Sequence, residues 1–138
     1  MLSFNYETDL SIDKEVHYKW LTECICSEGF QLGKVDIIFT SDAYLLEINK
    51  KYLNHDYYTD IITFDYSEGN ELSGDLFISI DRVKENASKY NVLFEVELRR
   101  VMAHGLLHLM GYGDKEDGEI LVMRKKEDEK LRMFHVEQ

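Results

Sequence analysis

The stretch Asp75-Leu76-Phe77-Ile78-Ser79-Ile80-Asp81 decides the fold. Leu76, Phe77, Ile78 and Ile80 make a short apolar and β-branched run, the composition of a strand. Asp81 is a good helix N-cap, so a helix follows to about Tyr90 with almost no loop between. Upstream, Ile61-Ile62-Thr63-Phe64 has the same character and reads as the preceding strand. Ser67-Glu68-Gly69-Asn70-Glu71 is the turn that joins the two strands into a hairpin. Downstream, a longer helix runs from about Phe94 to Met110, and Gly111 ends it.

The same reading extends to both ends of the chain. Phe4 and Tyr6 alternate with polar residues in a first strand. Ser11 or Asp13 caps a helix through about Ser27, in which Val16, Trp20, Leu21 and Cys24 recur at helical spacing before Gly29. Val35, Ile37 and Phe39 alternate in a second strand, and Ser41 starts a short helix carrying Tyr44, Leu45, Ile48 and Tyr52. Gly113 to Gly118 is a polar loop. The last helix begins near Asp117 and carries Ile120, Met123, Leu131 and Phe134. The expected architecture is one α+β (mixed α/β) domain over residues 1–138. Its sheet is mixed, with about four strands, and about five helices pack on it.

Composition narrows the classes. The chain has 138 residues, 44% hydrophobic and 31% charged, a globular balance that excludes disordered and collagen-like proteins. No apolar run approaches the ~18 residues of a membrane span, and the N-terminus lacks the basic start and apolar core of a signal peptide. Cys24 and Cys26 do not form a disulfide framework and read as reduced thiols of a cytoplasmic protein. The formal charge of −11, from 27 acidic and 16 basic side chains, disfavours general, non-specific binding to nucleic acid or anionic lipid, though not a local basic strip or docking through a larger partner; no DNA or membrane partner is expected.

One segment carries chemistry: His104-Gly105-Leu106-Leu107-His108-Leu109-Met110-Gly111-Tyr112-Gly113-Asp114. His104 and His108 lie four apart on a helix, so both imidazoles reach one ion. Gly111 turns the chain back, and Asp114 supplies a third ligand. Three ligands leave a fourth position open for water, the pattern of catalytic zinc, so one Zn2+ per chain is expected. Leu106, Leu107 and Leu109 belong to the core. Asp60 either orients a histidine from behind or turns the chain before the third strand. Arg99-Arg100 lie one turn before His104. One of them faces the metal cleft, or they pair with Glu95 or Glu97. Arg124-Lys125-Lys126 sit on an alternating-charge helix and read as solvent-facing. His17, His55 and His135 are placed outside the site, and His135 suits a helix C-terminus.

This segment resembles the signature of the YbeY family of metal-dependent endoribonucleases, H-G-x-L-H-L-x-G-Y-D-H. Thr59-Asp60-Ile61-Ile62-Thr63-Phe64 resembles that family's T-D-V-L-S-F, and Gly74-Asp75-Leu76-Phe77-Ile78-Ser79 its G-D-I-x-I-S. The resemblance spans about Tyr44 to Met133. It departs in two respects: Asp114 stands where the family usually has a third histidine, with Gly113 at the usual aspartate, and Leu53 follows Tyr52 where the family commonly has arginine. Asp114 adds a negative charge and makes the ion a weaker Lewis acid. The missing arginine passes the role of phosphate partner to Lys50, Lys51 or Arg100.

The resemblance implies hydrolysis of single-stranded RNA, in ribosomal RNA maturation and ribosome quality control on the small ribosomal subunit. Arg100 and Asp60 are then the catalytic candidates, and Lys50 and Lys51 the substrate-binding ones. Two alternatives stand beside this reading. His104, His108, Gly111 and Asp114 also match the spacing of the zinc proteases H-E-x-x-H-x-x-G-x-x-H, although the general-base glutamate would fall on Gly105. A non-enzymatic ribosome assembly factor with a structural metal is the other.

Overall fold

Period-two burial builds the sheet, and capped runs with one apolar face build the helices. The computed structural model describes residues 1–137, with side chains through Phe134. The order is β1 (Leu2–Tyr6), α1 (Lys14–Ser27), β2 (Gln31–Thr40), α2 (Asp42–Leu53), β3 (Ile61–Asp65), β4 (Glu71–Ser79), α3 (Ile80–Tyr90), α4 (Phe94–Leu109) and α5 (Asp117–Glu137). The strands form a mixed sheet in the order β1-β2-β4-β3. β1, β2 and β4 run parallel, and β3 closes the edge antiparallel to β4. The expected α+β class and the β3–β4 hairpin are both present.

Alternation decides which face of the sheet is core. Val35, Ile37 and Phe39 of β2 and Leu72, Leu76 and Ile78 of β4 are fully buried. Helices α1 and α4 cover that face and α5 packs against both, with Trp20, Leu21, Ile25, Met102, Leu106 and Phe134 joining one core. On the other face Phe77 stacks on Tyr44 of α2, with ring centroids 6.4 Å apart.

Two boundaries differ from the sequence reading. β4 runs into α3 without a loop, so the last strand residue, Ser79, is itself the cap; its Oγ accepts from Arg82 N at 3.2 Å. Asp81 caps nothing on its own helix. Its Oδ2 accepts from Asp42 N at 2.9 Å, at the start of α2. β2 starts earlier than expected because a register shift between Leu32 and Val35 hides the alternation there. In α1 the choice of cap falls on Asp13, whose side chain accepts from Val16 N.

Helix α5 carries two charges into the interior. Lys130 is 1% exposed, and its ammonium donates to Ser27 Oγ at 3.0 Å, Glu28 Oε2 at 2.6 Å and Glu129 Oε1 at 3.2 Å. All three of its protons therefore have acceptors, as a buried ammonium requires. Glu28 also accepts from Lys126 and from the Tyr112 hydroxyl, at 3.1 and 2.6 Å. Lys126 thus turns inward, contrary to the solvent-facing expectation. The His135 side chain lies outside the described residues.

Burial works against charge on Glu28, but hydrogen bonds from Lys130, Tyr112 and Lys126 outweigh it and hold its pKa at about 2. A depressed carboxylate pKa stabilises the fold above its unfolded value near 4.5, and that stability disappears as pH falls towards 2. Thermal melting against pH checks this: Glu28→Gln is expected to flatten the loss between pH 4.5 and 2 that the parent shows, and to melt lower than the parent at pH 7.

Candidate metal centre

Gly111 makes the site possible. α4 ends at Leu109, and Gly111 adopts φ +100, a conformation that side chains disfavour. The chain then folds back on its own helix: Tyr112 N donates to Leu107 O at 3.0 Å, and His108 Nδ1 donates to Tyr112 O at 3.0 Å. Asp114 follows and reaches the two histidines.

The three donor atoms close a triangle. His104 Nε2 and His108 Nε2 are 2.9 Å apart, and Asp114 Oδ2 is 3.2 Å from each. Ligands on a tetrahedral zinc ion, bound at 2.0–2.1 Å, stand about 3.3 Å from one another. The protons can be placed as well. A carbonyl only accepts, so the proton of neutral His108 is on Nδ1 and its Nε2 is bare. His104 Nδ1 lies 2.6 Å from Glu127 Oε2, a carboxylate that takes that proton as a hydrogen bond and leaves Nε2 bare too. With both imidazoles neutral, three lone pairs face one another with no hydrogen between them. A cation is the group that satisfies all three, so the residues present fit a divalent ion. Among the described residues, His104, His108 and Asp114 are the group able to do this. Their side chains are 22%, 26% and 39% exposed, so one side of the triangle faces solvent.

Glu127 is the residue that sequence reasoning missed. It is buried in α5 and accepts from Arg100 Nη1 at 3.0 Å as well as from His104. Burial opposes its charge, but hydrogen bonds from His104 and Arg100 outweigh it and lower its pKa. Burial likewise opposes the imidazolium of His104, and the Glu127 bond outweighs it, raising that pKa. A signal was present in the sequence: Met123, Glu127, Lys130 and Phe134 recur at helical spacing, which puts two charges on the apolar stripe. Charges on such a stripe are paired or functional.

The other expected residues divide between the cleft and the surface. A cleft of about 250 Å³ beside His104 and Asp114 is lined by Asp60, Asn86, Tyr90, Glu97, Arg100, Arg124 and Glu127, among others. Asp60 is in it, and burial raises its pKa, with the nearby His104 opposing. Its hydrogen-bond partner is Asn86 Nδ2 at a long 3.5 Å, so the orienting of His104 belongs to Glu127. Arg100 pairs with Glu127 and with Asp128, at 3.0 and 2.8 Å, not with Glu95 or Glu97. Arg99 instead lies over the Phe134 ring. Lys50 and Lys51 are on α2, outside this lining; Lys50 is 3.7 Å from Asp56, and Lys51 lies over the Tyr52 ring. His17 is buried against Trp20 and Phe134, and His55 bonds Tyr57.

Position 105 bears on the protease alternative. A Cβ there would lie 2.7 Å from Ile61 Cδ1 and 3.1 Å from both Leu76 methyls. It faces the sheet, not the metal ligands, so a general-base glutamate has no room at this position.

Fold and site together define a small α+β protein with two histidines and a carboxylate placed to hold a divalent cation at the mouth of a cleft. Comparison with known proteins places it further. The family described as Endoribonuclease YbeY matches residues 3–135. A curated Endoribonuclease YbeY of Flavobacterium johnsoniae is 55% identical over the whole of both chains. That of Flavobacterium psychrophilum is 56% identical, covering 100% of this chain and 99% of the relative. The solution structure of TM1509 from Thermotoga maritima superposes with a TM-score of 0.69 at 27% identity, covering 99% of this chain and 91% of that one. The chain belongs to the YbeY family.

Outer partners of a ligating histidine typically change metal affinity 10–100-fold. Glu127→Gln keeps the shape and removes the charge that fixes His104. Metal titration followed by calorimetry is expected to show divalent affinity lowered by that order, with stoichiometry still reaching one at high metal.

Proposed function

We propose that this chain is a metal-dependent endoribonuclease that cuts single-stranded RNA, with zinc as its resident ion. Its physiological substrate is ribosomal RNA of the small ribosomal subunit, met in the cytoplasm. The observation that carries the reading is the half-open triangle of lone pairs on His104, His108 and Asp114 at a cleft. The relatives' description as endoribonucleases supports it. That no helix among the described residues is long and apolar enough to cross a membrane is compatible with it.

A divalent ion bound here supplies Lewis acidity towards a phosphoryl oxygen and makes water a better nucleophile. The rest is done by the chain. Glu127 and the Tyr112 carbonyl hold the Nδ1 protons of His104 and His108, so both Nε2 lone pairs stay pointed into the site. Arg100 offsets the charge of Glu127, and Arg124, with a 63% exposed side chain, is placed to meet phosphate at the cleft rim. Asp60 is the candidate proton carrier of the cleft. Lys50 and Lys51 serve phosphates further along the strand, from α2. A chain of net charge −11 repels free RNA, so delivery through a ribosome suits it.

His108→Ala is expected to lower bound zinc well below one per chain by elemental analysis. His104→Ala, or chelation of the parent, is expected to abolish cleavage of a labelled single-stranded RNA on gels. Metal-loaded parent that cleaves RNA neither alone nor with ribosomes would overturn the nuclease reading in favour of the assembly factor. Unchanged metal in His108→Ala would overturn the ligand set.

A further inference from the structure

Glu97 is the polar group in the cleft that the chemistry above does not use. It projects from α4 one turn before the Arg100–Glu127 pair and is only 6% exposed. Its side chain has no hydrogen bond or ion pair among the described residues, yet it lines the cleft. Neither arginine nearby donates to it: Arg100 is bound to Glu127 and Asp128, and Arg124, exposed at the rim, lies 3.9 Å from Glu127. A carboxylate that opens into the cleft without a protein donor is free to take one from a ligand. A metal ion is not the missing partner, because among the described residues the donor group that closes within ligand distance is His104, His108 and Asp114. What Glu97 lacks is N–H or O–H donors brought in by a ligand.

On the reading that the ligand is an RNA strand, its chemistry narrows the choice. Phosphates offer only acceptors, and a ribose hydroxyl offers one donor. Bases carry the N–H groups, and unstacked bases of single strands are read on their Watson–Crick edges against aromatic faces. Guanine alone presents two adjacent, parallel N–H groups there, N1–H and N2–H, which match the two oxygens of a carboxylate. The cleft also supplies an aromatic face: Tyr90, at the end of α3, is 58% exposed and lines the same cavity. Lys89 Nζ lies 5.7 Å from the Tyr90 ring. At about 250 Å³ the space suits one base rather than a folded RNA.

We infer that Glu97 and Tyr90 form a nucleobase subsite beside the metal centre that selects guanine, with Tyr90 stacking the base and Glu97 reading its paired donors. The inference rests on the proposed RNA substrate and extends it to base preference.

Mononucleotides test it with the metal-loaded protein, since they contain no internucleotide bond to be cut. The 15N-labelled chain is titrated with guanosine, inosine and adenosine 5′-monophosphates. All three carry the same phosphate, so their differences report the base. Guanosine monophosphate is expected to bind about tenfold tighter than the adenosine compound, the discrimination of one bidentate base contact. Inosine monophosphate, which lacks the 2-amino group, is expected in between, with shifts gathered on residues 86–97. Glu97→Gln is expected to erase the preference, and Tyr90→Ala to weaken all three alike. Equal binding of the three by the parent, or no binding at millimolar concentrations, overturns the subsite whether or not Glu97→Gln folds. A preference that survives intact in folded Glu97→Gln overturns the role of that residue. Failure of the nuclease reading shows separately, as guanine preference without cleavage of single-stranded RNA.

Discussion

One buried carboxylate ties this molecule's architecture to its chemistry. Glu127 sits on α5 and accepts from two residues of α4, Arg100 and His104. The first contact locks the two helices together. The second fixes the proton of His104 and so the direction of its free nitrogen. Removing one partner from such a buried set costs far more than the net contribution of the pair, because a charge is left without an acceptor or donor. Helix packing and ligand orientation are therefore not separable here: a shift of α5 moves the imidazole.

A second clasp supports the first from the other side of α5. Lys130, Glu28 and the Tyr112 hydroxyl join α5 to the end of α1 and to the loop after α4. Tyr112 has two attachments. Its hydroxyl holds Glu28, and its carbonyl takes the proton of His108. Both histidines are thus oriented by groups that α5 positions, directly in one case and through Glu28 in the other. Asp114, the proposed third ligand, is the most exposed of the three and has no such support among the described residues. With an ion bound, its negative charge would reduce the net charge of the site and temper the Lewis acidity that two imidazoles and a neutral third ligand would give.

Much of this was legible in the sequence because the signals are local. The His104–His108 spacing, the turn at Gly111 and the arrival of Asp114 all follow from helix geometry and one glycine. The hairpin and the helix order follow from period and turn residues. What was not legible depends on contacts distant in sequence. Glu127 meets His104 across 23 positions, and Lys130 meets Glu28 across 102. Glu127 and Lys130 follow Arg124-Lys125-Lys126 on the alternating-charge helix α5, and only the apolar stripe they share with Met123 and Phe134 sets them apart. Asp60 was singled out for its place before β3, and it does reach the cleft, but the hydrogen bond to histidine is made by a residue from another helix. Asp81 shows the same limit: it is chemically a cap, but a strand that runs straight into its helix gives that position to Ser79.

The central claim is that the bare nitrogens of His104 and His108, with the carboxylate of Asp114, surround one divalent ion and leave a position to solvent. X-ray absorption at the zinc edge of the loaded protein measures this directly. Two imidazole nitrogens and two oxygen scatterers at about 2.0–2.1 Å, one oxygen from Asp114 and one from water, are expected. A spectrum with sulfur in the shell, or with a single imidazole, would contradict it.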